Sequence, residues 1–550
     1  MPTDIVVAHL EPYDLARPAW APWQVWAEDG HVQVRDKATD TVYGIALPPS
    51  GLDGLQAAPV STVPAVRSGD WWRVRLGKER ADVLTSWLDR AGEERPPVGA
   101  VAVAGDRWAV AVNHPLDADR CRILVGAGTD VQRVLSLDME TARSIAGIAH
   151  GVDGDIVIVD NYLHVCRSLS ASTGSVRWSF GTPRTPGSDD GYLSSPSECV
   201  VAGSRILVAS EMTGVVVVLD SAGRQVTALR PEDIPELPKT PTGMVALEKD
   251  HVVLTDAHSG LLHVLCRTAQ GWRCRRLVTD QQASPVGGLS FPRGLAAHGD
   301  TLFVADTAHQ RIAALSVTHR RIVDVLQIGG WPRTLAVTRD GLLVADGLGS
   351  RLLRVELPAE PGEPVFSGAR VSVVDVVDDG RRVALADPHH LVAAGQGALY
   401  WLVDSDLDDV LLIDTTGRVR RRWSTSAAGA AYALSDPHQV HVLDDGILVI
   451  DTNNNRILWA DPLLDEATLV TGGLTRPRFV VPHAEGWLVS DHSGRLSAFT
   501  AQWQPKGHYG IRPDGSECRV HLDDPPRGLL AHDGAVYATD WERGLVYRMA

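Results

Sequence analysis

Several residue types and patterns are scarce or missing in this chain of 550 residues, and each absence narrows its function. Lysine and arginine (52) are outnumbered by aspartate and glutamate (68), and the net charge of −16 disfavours general nucleic-acid binding. No apolar run approaches the roughly 20 residues of a membrane-spanning helix. No basic segment followed by an apolar core marks a secretory signal at the amino terminus. We expect no nucleic-acid partner, no membrane insertion and a cytoplasmic location.

Several catalytic motifs are also missing. The six cysteines are scattered without a CxxC pair, which is typical of reduced thiols. The sequence contains no GxSxG nucleophile elbow, no HExxH motif, no phosphate-binding glycine loop and no dinucleotide fingerprint. Serine-nucleophile hydrolysis and nucleotide-dependent chemistry are therefore disfavoured, and we expect no nucleotide or redox cofactor.

The residues that are abundant indicate strands and turns. Glycine (51) and proline (33) are plentiful, whereas methionine (5) and phenylalanine (6) are scarce. Valine-rich runs are interrupted by Gly, Pro and Asp, and few stretches show the apolar spacing of a long amphipathic helix. The composition predicts an all-β protein.

A repeated unit organises the chain. The clearest copies have a proline, a variable residue, a short apolar strand, a DG-type turn, a second strand ending in aspartate, a polar turn and a third strand. Other copies are weaker, and the one at Ile145 lacks the proline. Twelve copies in 550 residues average about 46 residues, which is typical of four-stranded propeller blades. The copies begin at Pro22, Pro64, Pro97, Ile145, Pro196, Pro241, Phe291, Trp331, Pro388, Asp436, Pro477 and Pro525.

This pattern resembles the NHL-repeat family from about Pro97 to the end. The resemblance implies a tandem β-propeller of about twelve NHL-like blades, and because one twelve-bladed ring would be unusually wide we predict two six-bladed rings. Residues 11–285 are assigned to an N-terminal propeller of degenerate blades, and residues 286–550 to a C-terminal six-bladed NHL propeller. The last copy lacks a fourth strand, which residues 1–10, with a strand from Ile5 to Leu10, can supply.

An aspartate ends the second strand of most copies. A carboxylate before a tight polar turn most simply accepts hydrogen bonds from the backbone amides of that turn, so we predict a structural role for this set. The set comprises Asp160, Asp256, Asp306, Asp346, Asp404, Asp451, Asp491 and Asp540, with Glu211 in the equivalent place once.

The residue after the repeat proline begins the innermost strand, which lines the channel of a propeller. In the first six copies this position holds only neutral residues. In the last six it holds four guanidiniums and two imidazoles, which favours a pocket for an anionic small molecule or peptide, held by Arg forks suited to carboxylate or phosphate. Alternatively, each Arg pairs with an aspartate of the neighbouring blade. The six residues are Arg293, Arg333, His389, His438, Arg478 and Arg527.

The two histidines lie in twin Asp-Pro-His motifs. Histidine at this position resembles the NHL-like amidating lyases of peptidyl-α-hydroxyglycines, whose zinc-binding histidines begin inner strands. The resemblance implies that His389 and His438 bind a divalent metal, zinc or calcium, with Asp387 and Asp436 anchoring them. Those lyases use three histidines from alternating blades, whereas this sequence offers two from adjacent blades. A third ligand would have to come from His390, His441, His483 or a carboxylate.

Two functions remain open from the sequence. In the first, the C-terminal propeller is a metal-assisted lyase or hydrolase in which His389 and His438 act on the bound anion and Tyr432 supplies an acid or a stacking ring. In the second, the chain is a non-catalytic scaffold that binds protein partners or senses a ligand. Family resemblance alone does not separate them, because NHL-type propellers include both enzymes and binding modules.

Overall fold

A computed structural model describes most of the chain, and it separates into two compact units. Met1–Pro18 and Val286–Ala550 form one unit, and Ala19–Pro285 forms the other. We call them the six-sheet unit and the five-sheet unit, after the sheets of four or more strands in their described residues. The described residues are 6–7, 10–12, 22–28, 31–36, 41–46, 62–67, 71–90, 98–113, 121–138, 140–151, 153–248, 250–277, 288–319, 321–357, 364–395, 398–423, 432–483, 486–491, 496–510, 526–540 and 544–549.

The five-sheet unit contains five antiparallel sheets of four strands and two helices, Trp71–Leu76 and Lys78–Arg90. The strands are, in sheet 1, Pro22–Glu28, His31–Asp36, Thr41–Ala46 and Thr62–Arg67; in sheet 2, Val98–Ala104, Arg107–Val112, Cys121–Ala127 and Asp130–Leu137; in sheet 3, Ile145–His150, Ile156–Asp160, Val165–Leu169 and Val176–Phe180; in sheet 4, Pro196–Ala202, Arg205–Ser210, Val216–Asp220 and Gln225–Leu229; and in sheet 5, Pro241–Glu248, His251–Asp256, Leu261–Thr268 and Gly271–Leu277.

The six-sheet unit contains the other six sheets and a short hairpin, Val377–Asp378 with Arg381–Arg382. The strands are, in sheet 6, Pro292–His298, Thr301–Asp306, Arg311–Ser316 and Arg321–Gln327; in sheet 7, Pro332–Thr338, Gly341–Asp346, Arg351–Glu356 and Arg370–Val374; in sheet 8, Pro388–Ala393, Leu399–Asp404, Asp409–Asp414 and Val419–Trp423; in sheet 9, Pro437–Val442, Ile447–Asp451, Arg456–Ala460 and Ala467–Gly472; in sheet 10, Pro477–His483, Gly486–Asp491, Leu496–Thr500 and Pro505–Gly510; and in sheet 11, Leu529–His532, Ala535–Asp540 and Leu545–Met549.

Each sheet is a propeller blade with its first strand innermost. Second strands such as Ile156–Asp160 are buried along their whole length because neighbouring sheets cover both faces, which explains their continuous apolar sequence. Outer strands such as Asp130–Leu137 are largely exposed and carry polar residues. In the six-sheet unit the inner strands of successive sheets touch in order, and sheet 11 returns to sheet 6. This unit is therefore a closed β-propeller, and the all-β expectation is confirmed.

Strands from the start of the chain join the last two sheets. Leu10–Pro12 pairs antiparallel with the strand Leu545–Met549 and is the fourth strand of sheet 11. Val6–Val7 pairs in parallel with the strand Pro505–Gly510 of sheet 10. The strand predicted from Ile5 to Leu10 is thus divided between two sheets.

The repeat copy predicted at Pro64 does not begin a sheet of its own. Pro64 lies within Thr62–Arg67, which pairs with Thr41–Ala46 as the fourth strand of sheet 1. Proline is tolerated there because an outermost strand needs only one hydrogen-bonded edge. Within the described part of Ala19–Pro285 the structure therefore shows five sheets.

The two helices of the five-sheet unit cover one face of sheet 2. Leu84 and Leu88 pack with Trp108 and Val110 in one buried cluster. The Trp108 indole donates to the carbonyl of Gly128 at 3.0 Å, and a Cβ at Gly126 would lie 2.1 Å from the indole ring, so glycine is required there. Among the described helices, neither is long and apolar enough to cross a membrane.

The first of these helices also places a charge beside a buried acid. Arg75 interacts electrostatically with Glu198, which is 6% exposed on the inner strand of sheet 4. Burial raises the pKa of Glu198 from 4.5 to about 7, although the Arg75 guanidinium opposes the shift. The folded protein therefore holds the Glu198 proton more tightly than the unfolded chain does.

We expect this proton to make stability depend on pH. The Glu198 contribution is fully present below pH 4.5 and is lost as the pH rises to about 7. At 1.36 kcal/mol per pKa unit the loss is about 3 kcal/mol. Urea unfolding of wild type and Glu198→Gln between these pH values measures it, and the exposed Glu232→Gln is the control. Parallel pH profiles for wild type and Glu198→Gln would contradict the assignment.

Candidate functional site

The recurring aspartates hold the blades together. Asp160 accepts hydrogen bonds from the amides of Tyr162 and Leu163 in the polar turn, and from those of Arg143 and Ser144 before the inner strand. Asp404 likewise accepts from the amides of Ala386, Asp387 and Leu407. These bonds confirm the structural role predicted for these two aspartates.

A second link joins neighbouring sheets. The hydroxyl of the residue after the repeat aspartate donates to the carbonyl of the next inner-strand proline: Thr307 to Pro332 at 2.7 Å, Ser405 to Pro437 at 2.6 Å and Thr452 to Pro477 at 2.7 Å. This link was not predicted from the sequence, although the recurring Asp-Thr and Asp-Ser dipeptides are its visible signal.

In sheet 7 the residue after the repeat aspartate is Gly347, which has no hydroxyl, and an ion pair occupies the space beside it. Arg333 Nε lies 3.0 Å from Asp387 Oδ1, and its Nη2 lies 3.3 Å from Oδ2. A Cβ at Gly347 would lie 2.7 Å from Arg333 Nε and 3.1 Å from Asp387 Oδ1, so any side chain there would disturb the pair. Asp387 belongs to the next blade, so Arg333 makes the inter-blade contact that the sequence left open as an alternative.

The two histidines meet each other and one arginine. The rings of His389 and His438 lie edge to face with centroids 4.2 Å apart. His438 Nε2 lies 2.5 Å from Arg478 Nη1, in the next sheet. All three side chains are at least nine-tenths buried. Residues separated by 49 and 40 positions in sequence therefore form one contact group.

Three arginines act on the imidazole of His389. Burial lowers the pKa of His389 well below its ordinary value, Asp387 opposes this, and Arg333, Arg293 and Arg478 lower it further. Burial and Arg478 likewise lower the pKa of His438 well below its ordinary value. Both imidazoles are therefore neutral near pH 7. We call Arg293, Arg333, His389, His438 and Arg478 the inner cluster.

Arg527 is the remaining member of the predicted set. It is half-buried, and its neighbour Gly528 packs against the backbone of Arg293, where a Cβ would lie 2.3 Å from the Arg293 carbonyl oxygen. The segment that leads into sheet 11 therefore packs against the inner strand of sheet 6 at Arg293.

Each Asp-Pro-His motif brings its carboxylate to the Nδ1 side of its histidine. His389 Nδ1 lies 3.5 Å from Asp387 Oδ2, and His438 Nδ1 lies 3.5 Å from Asp436 Oδ1. His438 Nδ1 also lies 2.9 Å from the Asp436 carbonyl oxygen. The Nε2 atom of His438 is thus the one that faces the arginine.

Other predicted residues have different surroundings. Tyr432 packs in the cluster that contains Trp423, beneath the guanidinium of Arg456, and the contacts given for its described side chain include no member of the inner cluster. His390 lies edge-on to Phe479, and His441 to Trp487. Burial lowers the pKa of His390 to about 3 and that of His441 to about 4.

The donor set suits an anion better than a metal ion. His438 Nε2 already faces the Arg478 guanidinium, and three guanidiniums act on His389, so a divalent cation would be repelled. Among the described residues no three His, Cys, Asp or Glu side chains form a group that could hold a metal ion. The arginine contacts of His389 and His438 differ from the three-histidine set of the lyase resemblance, and the metal site stays a prediction.

The chain matches no protein-family model, and no curated protein matches it in sequence. Solved structures are similar at low identity. The extracellular domain of a hybrid two-component system from B. thetaiotaomicron is 10% identical, over 99% of this chain and 82% of that one, with a TM-score of 0.34. Streptogramin B lyase is 13% identical, over 62% and 94%, with a TM-score of 0.27. The WD40 β-propeller domain of Doa1 is 9% identical, over 56% and 91%, with a TM-score of 0.33. Values this low carry no argument about activity.

Proposed function

We propose that the six-sheet unit binds an anionic small molecule or peptide through a carboxylate or phosphate at the inner cluster. The observation that carries the proposal is the convergence of Arg293, Arg333 and Arg478 on His389, with His438 in contact with Arg478. Three guanidiniums act on one buried imidazole in a chain whose net charge is −16. Planar guanidinium forks match carboxylate and phosphate oxygens.

Burial strengthens this preference. Arg293 and Arg478 are 9% and 7% exposed, so their charges are only partly solvated, and a bound anion would compensate for that loss. Arg333 already has a carboxylate partner in Asp387. We assign Arg293 and Arg478 as the principal anion contacts because they are the most buried arginines of the inner cluster, and Arg333, held by Asp387, as part of the lining of the site.

A lyase or hydrolase activity is the second candidate, and the two neutral imidazoles favour it. A neutral imidazole can accept a proton, and a carboxylate near Nδ1 helps to fix the ring and stabilise its charged form. His389 and His438 each have such a carboxylate at 3.5 Å. In this proposal the arginines orient the anion and one histidine removes a proton from it.

Binding of citrate and inorganic phosphate, measured by isothermal titration calorimetry, tests the anion site. We expect Arg293→Ala/Arg478→Ala to weaken binding by at least about tenfold, because each charge-assisted hydrogen bond contributes about 1.5–3 kcal/mol. Arg421→Ala, at an exposed outer-strand position, is the control and should bind as wild type does. Circular dichroism verifies folding.

Two results would overturn the proposal. One is equal anion binding by wild type and the double arginine variant. The other is stoichiometric zinc or calcium in protein purified without chelator, lost in His389→Ala/His438→Ala, because a metal would then occupy the place assigned to the anion.

A further inference from the structure

A groove borders the outer strand of sheet 2. Its volume is about 590 Å³, and its walls are the helix Lys78–Arg90, through Val83 and Trp87, and the first half of the strand Asp130–Leu137. Volumes of about 300 to 1,000 Å³ are typical of binding sites. The groove lies within the five-sheet unit and shares no residue with the inner cluster. We call it the helix–strand groove.

One wall of the helix–strand groove is the edge of a β-sheet. Asp130–Leu137 is the outermost strand of sheet 2, bonded on one side to Cys121–Ala127, and no described strand pairs with its other side. Such an edge presents a row of amide and carbonyl groups that an extended chain can bond. The helix beside it supplies a second wall for the side chains of that chain.

A bulge makes the strand wall apolar. Residues three apart in a strand normally face opposite sides of the sheet. The register shift between Val131 and Arg133 adds one residue, so Val131 and Val134 both face the helix and line the groove. Val131 packs in the buried cluster beside Trp87, whereas Val134 is 40% exposed. An apolar side chain of a bound partner would cover Val134.

The charges at the helix–strand groove favour a partner with a basic side chain. Asp130 lines the groove and is exposed at the start of the strand. Arg133 also lines it, but its Nη1 atom lies 3.5 Å from the Ser172 carbonyl oxygen, which directs the guanidinium toward sheet 3. The carboxylate of Asp130 is therefore the charge that meets an incoming chain, and a lysine or arginine complements it.

We propose that the helix–strand groove binds an extended peptide segment of a partner protein. The segment adds to sheet 2 as a further strand, places apolar side chains between Val134 and Trp87, and places a basic side chain at Asp130. An apolar small molecule would leave the backbone groups of the edge to water, and a helix would offer them no backbone groups to bond. This binding is separate from the anion site of the six-sheet unit.

The probe is a short peptide of alternating valine and threonine that begins with lysine and carries fluorescein at its carboxyl end. Fluorescence anisotropy with the full-length protein measures its binding. We expect Val134→Lys to weaken binding at least about tenfold, because the ammonium group would be buried beneath the peptide. Val226→Lys is the matched control, since Val226 is 48% exposed in the outer strand Gln225–Leu229 of sheet 4. Circular dichroism verifies folding.

Methylated and charge-reversed probes test how the peptide binds. Methylation of every second amide removes the donors along one edge of the peptide. We expect one of the two methylated series to lose binding and the other to keep it, because only one edge of an added strand bonds sheet 2. In Asp130→Lys, a probe that begins with glutamate should bind up to about fivefold more tightly than the lysine probe.

Three results would overturn the assignment. The first is no binding of the lysine probe to wild type, or equal binding to wild type and Val134→Lys. The second is equal binding of both methylated series, because the sheet edge would then take no part. The third is a dimer of the wild-type protein in analytical ultracentrifugation that Val134→Lys dissociates, because the occupant would then be a second copy of this chain.

Discussion

Replacing Asp306 with alanine should lower the free energy of unfolding by about 3–5 kcal/mol, because the change leaves a buried cation without its partner. Asp306 is fully buried, and one oxygen lies 2.6 Å from Arg311 Nε and 2.8 Å from His309 Nδ1. The other accepts from the Ser290 amide at 2.6 Å. Burial alone would raise the pKa of Asp306, but His309 and Arg311 hold it below its ordinary value, so the carboxylate is ionised.

Urea unfolding followed by tryptophan fluorescence measures this loss. Asp461→Ala is a matched control, since Asp461 also accepts two backbone amides, Leu463 at 2.9 Å and Glu466 at 2.7 Å, but in a surface turn. Its cost should be about 1 kcal/mol. If the two alanine variants were equally stable, the repeat aspartates would be ordinary turn residues.

The second large effect is expected at Trp108, where alanine should cost about 3–5 kcal/mol. The indole is fully buried between the second strand of sheet 2 and the helix that carries Leu84 and Leu88. Its removal leaves a cavity and also the Gly128 carbonyl without its donor. We expect the helix Lys78–Arg90 to exchange its amide hydrogens faster in the variant.

Hydrogen exchange and urea unfolding together test this prediction. Trp272→Ala is the control, because Trp272 is only half-buried in an outer strand of the same unit and its loss should cost less. A cost below about 1 kcal/mol for Trp108→Ala, or unchanged exchange in the helix, would show that the helices contribute little to covering sheet 2.

The repeat predicted most sheets because its signals are local. A proline, an apolar run and a terminal aspartate recur within about 20 residues, and the structural role of Asp160 and Asp404 follows from their own turns. The prediction that a blade begins at Pro64 was wrong, because a proline followed by two apolar residues is also compatible with an outer strand. The helix Lys78–Arg90 went unrecognised, although Leu84 and Leu88 have helical spacing, because most of the surrounding sequence has the pattern of strands and turns.

Only part of the candidate site could be predicted from the sequence. The contrast between neutral and basic residues after the repeat proline identified the members of the inner cluster. The sequence could not show that Arg333 pairs with Asp387 while Arg478 faces His438, because both contacts join different blades and depend on side-chain direction.

The pairing of Leu10–Pro12 with Leu545–Met549 has a consequence for biosynthesis. The six-sheet unit cannot complete sheet 11 until the ribosome has made Leu545–Met549, whereas Ala19–Pro285 is contiguous and emerges much earlier. We therefore expect the five-sheet unit to fold while translation continues, and the first strands to wait unpaired until the last ones arrive. During that interval the unpaired strands Val6–Val7 and Leu10–Pro12 are exposed to chaperones and to other unfolded chains.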